Sequence, residues 1–308
     1  MNPDFIDRRL TEQRNPKTVA IDIASSAEIV DLLHAEDVTV VDVVYTAREA
    51  LARTIDLVVD AFRSGGRLIY VGAGTSGRLG ILDATECPPT FGSLPEMVSG
   101  IIAGGPPALT RSQEGAEDDT GAGERAIEER AVTGSDVVIG IAASGTTPYV
   151  RAAMDKAKGM GASVVLVTCT EPPSDLAQTC DELIVAPVGP EALTGSTRLK
   201  AGTATKLILN TITTGAMVRL GKAYGNLMVD LVVLSDKLRD RGERIVMEVG
   251  GVDRASARKA IEAGGGSVKL ALVMARLGLD PADAQRRLDA AGGVIRDVIG
   301  KPPPVVSE

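Results

Sequence analysis

Five short apolar runs recur through the first two thirds of this 308-residue chain, at residues 68–71, 97–102, 137–141, 164–168 and 183–185, with helical patterning between them, notably at 149–159. Short continuous apolar runs suit strands buried on both faces, and strands alternating with helices suit a parallel sheet covered on both sides. A sheet of that kind places its ligand crevice at the carboxyl ends of the strands.

The first run ends in such a place. In Arg67-Leu-Ile-Tyr-Val-Gly-Ala-Gly-Thr-Ser-Gly-Arg78 a strand breaks off into glycines, hydroxyls and an arginine. Gly72, Gly74 and Gly77 permit a tight turn and close backbone approach to a ligand. A helix beginning near Gly77 would aim its free amides at an anion. The spacing G-x-G-x-x-G also occurs in dinucleotide folds, but those hold the ribose with an acidic residue at the end of the second strand. Here that strand runs into Ile102-Ala-Gly-Gly-Pro-Pro107, and Glu96 lies at its other end. A nicotinamide cofactor is therefore not expected.

A second turn resembles the first. Asp136-Val-Val-Ile-Gly-Ile-Ala-Ala-Ser-Gly-Thr-Thr-Pro148 is again a strand running into small residues, hydroxyls and a helix with proline in its first turn. Two such turns on one sheet bring Gly74, Thr75, Ser76, Ser144, Gly145, Thr146 and Thr147 toward one crevice. Hydroxyls and amides of this kind bind phosphate and sugar oxygens alike. A third hydroxyl-rich stretch, Thr194-Gly-Ser-Thr-Arg-Leu-Lys-Ala-Gly-Thr203, opens a long helix over 196–220, with Ser196 or Thr197 as its N-cap. Ser196 and Lys200 join the candidate ligand-binding set, and Arg198 and Lys200 place cations beside the crevice.

Those cations matter because the chain carries a net charge of −8, so an anionic ligand needs a local positive site. The same charge, with 2% aromatic residues and no Trp, argues against a nucleic-acid partner. Cys87, Cys169 and Cys180 show no C-x-x-C spacing, which favours a reducing compartment over a disulfide framework. His34 is the single histidine, so no metal site is expected. It sits beside Leu32 and Leu33 and reads as a partly exposed or capping residue. Residues 1–16 are too polar for a signal peptide, and no run approaches the ~18 apolar residues of a membrane span. The expected location is the cytoplasm.

Two carboxylate groups stand out. Asp83-Ala-Thr-Glu-Cys-Pro-Pro89 follows the helix that leaves the first loop, with Glu86 against a Pro-Pro turn in an apolar setting. Glu114-Gly-Ala-Glu-Asp-Asp119 follows the second strand, where solvation of a surface cluster is the ordinary reading. Cys87 has no base near it in sequence and reads as a packing residue.

Residues 1–17 lack periodicity and read as an arm that packs on a neighbour. Residues 25–64 read as helical up to Gly65-Gly66, and 226–241 as a further helix. Gly250-Gly251 marks a boundary between a ligand-binding domain, 1–250, and a small helical domain, 251–300. The latter reads as three helices over 254–263, 267–277 and 281–291, with 301–308 an extended tail.

The stretches Gly72-Ala-Gly-Thr-Ser-Gly-Arg-Leu-Gly-Ile-Leu-Asp-Ala-Thr-Glu-Cys-Pro-Pro89, Glu114-Gly-Ala-Glu-Asp118, Gly140-Ile-Ala-Ala-Ser-Gly145, 194–203 and Gly225-Asn-Leu-Met-Val-Asp230 closely resemble the N-acetylmuramic acid 6-phosphate etherases. The resemblance implies a flavodoxin-like sugar isomerase (SIS) domain with a parallel sheet and helices on both faces. It also implies a C-terminal three-helix domain similar to ubiquitin-associated domains, and a homodimer with its active site near the subunit boundary. The implied enzyme is a carbon–oxygen lyase that cuts the D-lactyl ether of the sugar phosphate by elimination and water addition, without cofactor or metal, in murein amino-sugar recycling. Glu86 matches the acid that protonates the departing lactate oxygen, and Glu117 matches the base at the carbon bearing the N-acetyl group. Two other readings keep the SIS fold: a non-catalytic sugar-phosphate sensor similar to the glucokinase regulatory proteins, and a sugar-phosphate isomerase. The first class has two SIS domains in tandem, and the second often opens the ring with a histidine.

Overall fold

The computed structural model describes residues 9–231 and 236–304. The five apolar runs are parallel strands: β1 (Leu68–Gly72), β2 (Val98–Ile102), β3 (Val137–Ile141), β4 (Ser163–Thr168) and β5 (Glu182–Val185). They lie in the order β2-β1-β3-β4-β5, the flavodoxin-like order whose direction of winding reverses between β1 and β3. The register pairs Gly72 with both Ile102 and Ile141, so β1, β2 and β3 end level.

Helices α1 (Ser26–Asp37), α2 (Val40–Thr46) and α3 (Arg48–Arg63) precede the sheet. Ser25 opens α1 with a capping box closed by Glu28, which satisfies two end amides reciprocally. Between the strands run α4 (Gly74–Phe91), α5 (Thr120–Glu129), α6 (Pro148–Gly159) and α7 (Ser174–Thr179). One face of the sheet buries Ile69, Val71, Val138, Val164 and Leu166 against Ile127 of α5 and Tyr149, Val150, Ala153 and Met154 of α6. Gly140 makes that contact close: a Cβ there would lie 2.2 Å from Met154 Sδ. On the other face α4 approaches through Gly80, whose added Cβ would meet Tyr70 Cβ at 2.8 Å. At the opposite end of the strands, Asp136 accepts from the Arg67 amide at 2.8 Å and from its guanidinium at 2.8 and 3.1 Å. Burial pushes the Asp136 carboxyl up, but the bonds from Arg67 and Thr133 prevail and hold it below its usual value.

After β5 come α8 (Lys200–Arg219), a hairpin of β6 (Ala223–Tyr224) and β7 (Leu227–Met228), and helices α9 (Asp236–Gly250), α10 (Arg254–Ala263), α11 (Val268–Leu277), α12 (Pro281–Ala290) and α13 (Ile295–Ile299). Asp253, Ser267 and Asp280 accept the end amides of α10, α11 and α12. Ile245, Val246, Ile261, Leu272 and Leu288 form their core.

The chain divides into two compact units. One comprises 1–85 and 96–213, the other 86–95 and 214–308, so two of the three divisions fall inside α4 and α8 and the third between α4 and β2.

Four local expectations change. Helix α4 starts at Gly74, not near Gly77, and continues through Pro88 and Pro89, so Glu86 is not followed by a Pro-Pro turn. The prolines lie in its last turns, where their missing amides leave the carbonyls of Ala84 and Thr85 without the usual partner. Helix α8 starts at Lys200 rather than Ser196, because Glu191 accepts the Lys200 and Ala201 amides at 2.9 Å each and so occupies the helix end from a distance. Residues 226–231 are not helical. Gly225, at φ +60, and Asn226 form the two-residue link of the hairpin, a sequence suited to the positive φ such links demand; residues 232–235 of that expected helix lie outside the described residues. Finally, residues 11–18 pack on this same chain. Asn15 Nδ2 donates to Glu36 at 2.8 Å, Thr18 Oγ1 donates to the Ala192 carbonyl at 2.8 Å, and the Thr11 carbonyl accepts from the Gly195 amide at 3.2 Å. Buried Glu36 needs such partners. Residues 1–8 and 305–308 are outside the described residues.

Candidate active site

The first loop closes within five residues of the strand. A Cβ on Gly72 would fall 2.6 Å from the Gly77 amide nitrogen, and one on Gly77 would fall 2.6 Å from Ile102 Cγ1, so both must be glycine for the turn to shut. The Gly77 amide bonds the Ala73 carbonyl. The amides of Gly74, Thr75 and Ser76 thus form the open N-terminal turn of α4, where an anion is favoured.

The second turn leaves the neighbouring strand at the same level. Gly145, at φ +68, donates to the Ala142 carbonyl at 2.9 Å, and Ser144 Oγ and Thr146 Oγ1 lie 3.1 Å apart. Thr147 precedes α6, with Pro148 at its first position. The third stretch approaches the first from α8: a Cβ on Gly202 would sit 3.7 Å from Thr75 Cγ2. Ser196 is half-buried in the turn before that helix.

Lys200 does not face an open crevice. It is buried, and its ammonium lies 2.5 Å from Glu36, which also pairs with Lys17 at 3.1 Å. Burial alone would raise the Glu36 carboxyl, but the bonds from Lys200, Lys17 and Asn15 outweigh it and hold the group at about 2. A different cation does reach the hydroxyls: Arg9 Nη1 donates to Thr146 Oγ1 at 3.4 Å. Sequence reasoning gives Arg9 no role, because its place follows from the fastening of residues 11–18 far along the chain.

The two carboxylate groups separate clearly. Asp83 is buried and structural, accepting from the Tyr70 hydroxyl at 2.8 Å, Asn210 Nδ2 at 2.6 Å and Thr213 Oγ1 at 3.2 Å. Burial raises its carboxyl despite those bonds and the nearby Lys206 charge. Glu86, three residues on along α4, is exposed and belongs to the second unit.

Glu117 is exposed too, on a short turn that follows Gly115 at φ +74. It lines a cavity of about 130 Å³ together with Gly74, Arg78, Ser112 and Glu114. Arg78 of α4 steadies the chain leading to this turn by donating to the carbonyls of Leu109 at 3.2 Å and Arg111 at 3.5 Å. Ala116 anchors the turn against the sheet's core. The structure thus brings Glu117 to the glycine loop inside the first unit.

Comparison with curated proteins decides the family. An N-acetylmuramic acid 6-phosphate etherase from Gloeobacter violaceus is 55% identical over 86% of each chain. The chain belongs to the N-acetylmuramic acid 6-phosphate etherase family. Family members from Thermosynechococcus vestitus and Yersinia pestis are 53% and 50% identical, each over 86% of this chain and 86% and 90% of their own. Residues 50–158 also match the family described as glucokinase regulatory protein N-terminal SIS domain. Among solved structures, a phosphoheptose isomerase from Neisseria gonorrhoeae is 15% identical with a TM-score of 0.45, over 62% of this chain and 97% of its own. Among the described residues no cluster of His, Cys, Asp and Glu could hold a metal ion, and no helix is long and apolar enough to cross a membrane.

Proposed function

We propose that this etherase-family chain cleaves the D-lactyl ether of N-acetylmuramic acid 6-phosphate, giving N-acetylglucosamine 6-phosphate and D-lactate. The observation that carries the mechanism is the cavity in which Glu117 meets the N-terminal turn of α4. The phosphate is held by the amides of Gly74, Thr75 and Ser76 and by the hydroxyls of Ser144, Thr146 and Thr147, with Gly145 and Ser196 completing the lining. Ring opening exposes an aldehyde and acidifies the hydrogen on the adjacent carbon. Glu117 takes that proton as the lactate C–O bond breaks, and Glu86 protonates the leaving oxygen. Water then adds across the new double bond, its hydroxyl replacing lactate.

Lys200 serves this site from behind, holding the start of α8 through Glu36. The working form is a cytoplasmic homodimer; in support, Ile23, Val30, Val41 and Tyr45 expose apolar surface on the N-terminal helical segment. A monomeric mass in solution would count against it.

The test is incubation with N-acetylmuramic acid 6-phosphate in heavy-oxygen water. D-lactate release with label entering the sugar is expected. Binding without lactate release would make the chain a sensor instead. Glu86→Gln and Glu117→Gln are each expected to lower turnover on the order of 100-fold or more while product binding stays nearly intact.

A further inference from the structure

The motif that ends in Asp230 is not used by the steps proposed above, yet its carboxylate is the hub of the second unit. Asp230 Oδ2 accepts from Lys269 Nζ at 2.9 Å and from Lys222 Nζ at 3.3 Å. Lys269, on α11, is nine-tenths buried and also donates to the Gly293 carbonyl at 2.9 Å. Lys222, just beyond α8, donates to the carbonyl of Phe91 at 3.2 Å.

Phe91 is the last residue of α4. Helix C-termini present unpaired carbonyls and a partial negative charge, so an ammonium at that point both bonds the chain end and opposes the dipole. This end needs such a fastening, because Pro88 and Pro89 remove two amides from the preceding turns. Gly92, at φ +59, donates to the Pro88 carbonyl at 2.9 Å and stops the helix. One carboxylate held by two ammoniums thus links the end of α4 to α11 and to the turn after α12. Glu86 lies on this same fastened segment, five residues before Phe91.

We propose that the C-terminal helical unit is the positioning device for Glu86, with Lys222 as the positioning residue and Asp230 and Lys269 as the pair that holds it in place. This rests on the reading of Glu86 as the acid. Lys222 acts through the helix end; it sets where the glutamate stands without touching substrate.

The experiment measures lactate release and N-acetylglucosamine 6-phosphate binding for Lys222→Met, Lys222→Arg and Asp230→Asn, and for Lys222→Met combined with Glu86→Gln. Lys222→Met is expected to lower kcat about tenfold or more, as a misplaced catalytic group does, with KM and product affinity nearly unchanged. Lys222→Arg should recover most of that loss, since it restores a cation at the Phe91 carbonyl. Within Glu86→Gln the Lys222 substitution should add no further loss, the non-additivity of residues that act as one. Wild-type kcat in Lys222→Met, or a fully additive double variant, overturns the proposal. Wild-type turnover in Glu86→Gln alone would instead remove the reading of Glu86 on which it rests. If Asp230→Asn does not fold, the Lys222 series still decides.

Discussion

A lysine buried as deeply as Lys200 needs a counter-charge, and Glu36 provides it. Removing Lys200 leaves buried Glu36 with only Asn15 and the exposed Lys17, so Lys200→Met is expected to cost roughly 3 kcal/mol in denaturant unfolding. Sugar-phosphate affinity measured on the remaining folded fraction should change little. A large loss of affinity at unchanged stability would return Lys200 to the ligand. The pair also fixes a pH dependence. The folded Glu36 carboxyl sits at about 2, below its ordinary 4.5, so its contribution is present above pH 4.5 and drains away as pH falls toward 2. An acid titration of wild type against Glu36→Gln checks this: the wild type should lose its advantage across that window. None of this can be read from the residues alone, where Lys200 has the look of a phosphate ligand. Its partner lies far away in sequence, and only the fold brings the two together.

At the scale of elements, the strands were legible because each apolar run is bounded by turn-forming residues, and Gly72, Gly74 and Gly77 marked the ligand loop, although the helix after it starts at Gly74 rather than near Gly77. Gly77→Val must displace Ile102 Cγ1 or the Gly72 carbonyl, which a Cβ would approach to 2.6 and 2.7 Å. Sugar-phosphate affinity should fall more than about tenfold by calorimetry, the equivalent of roughly 1.4 kcal/mol. Helices α10, α11 and α12 were legible for the same reason, their Asp and Ser caps being local signals, whereas α13, a fourth helix that no side chain caps, was not expected. Asp253→Ala and Asp280→Ala should each destabilise by about 1 kcal/mol in thermal or denaturant melts. Element ends set by distant groups were not legible. The start of α8 belongs to Glu191, nine residues upstream of Lys200, and the last carbonyl of α4, a helix that Gly92 stops, is bonded by the distant Lys222. The hairpin at 223–228 was hidden because, of its two-residue link, Gly225 also reads as a separator between helices and Asn226 as the start of the next one.

For the whole molecule, the absence of any metal from the proposed reaction predicts that a chelator leaves lactate release unchanged; loss of activity restored by a divalent ion would overturn that. The division of the chain makes a second prediction. Residues 86–95 carry the proposed acid, and their unit is completed only by 214–308. Deleting 251–308 should therefore abolish lactate release rather than trim an appendage, and a truncated chain with wild-type turnover would show that the second unit is dispensable.

The same interruption has a consequence for how the chain comes to be folded. Residues 86–95 are synthesised early, but the residues that complete their unit emerge only after all of 96–213 has been made. Contacts between such distant segments form late, because a long loop must close before they are rewarded. Refolding should therefore proceed in two stages, the sheet first and the segment around Glu86 last, so that activity returns after most of the secondary structure is already in place.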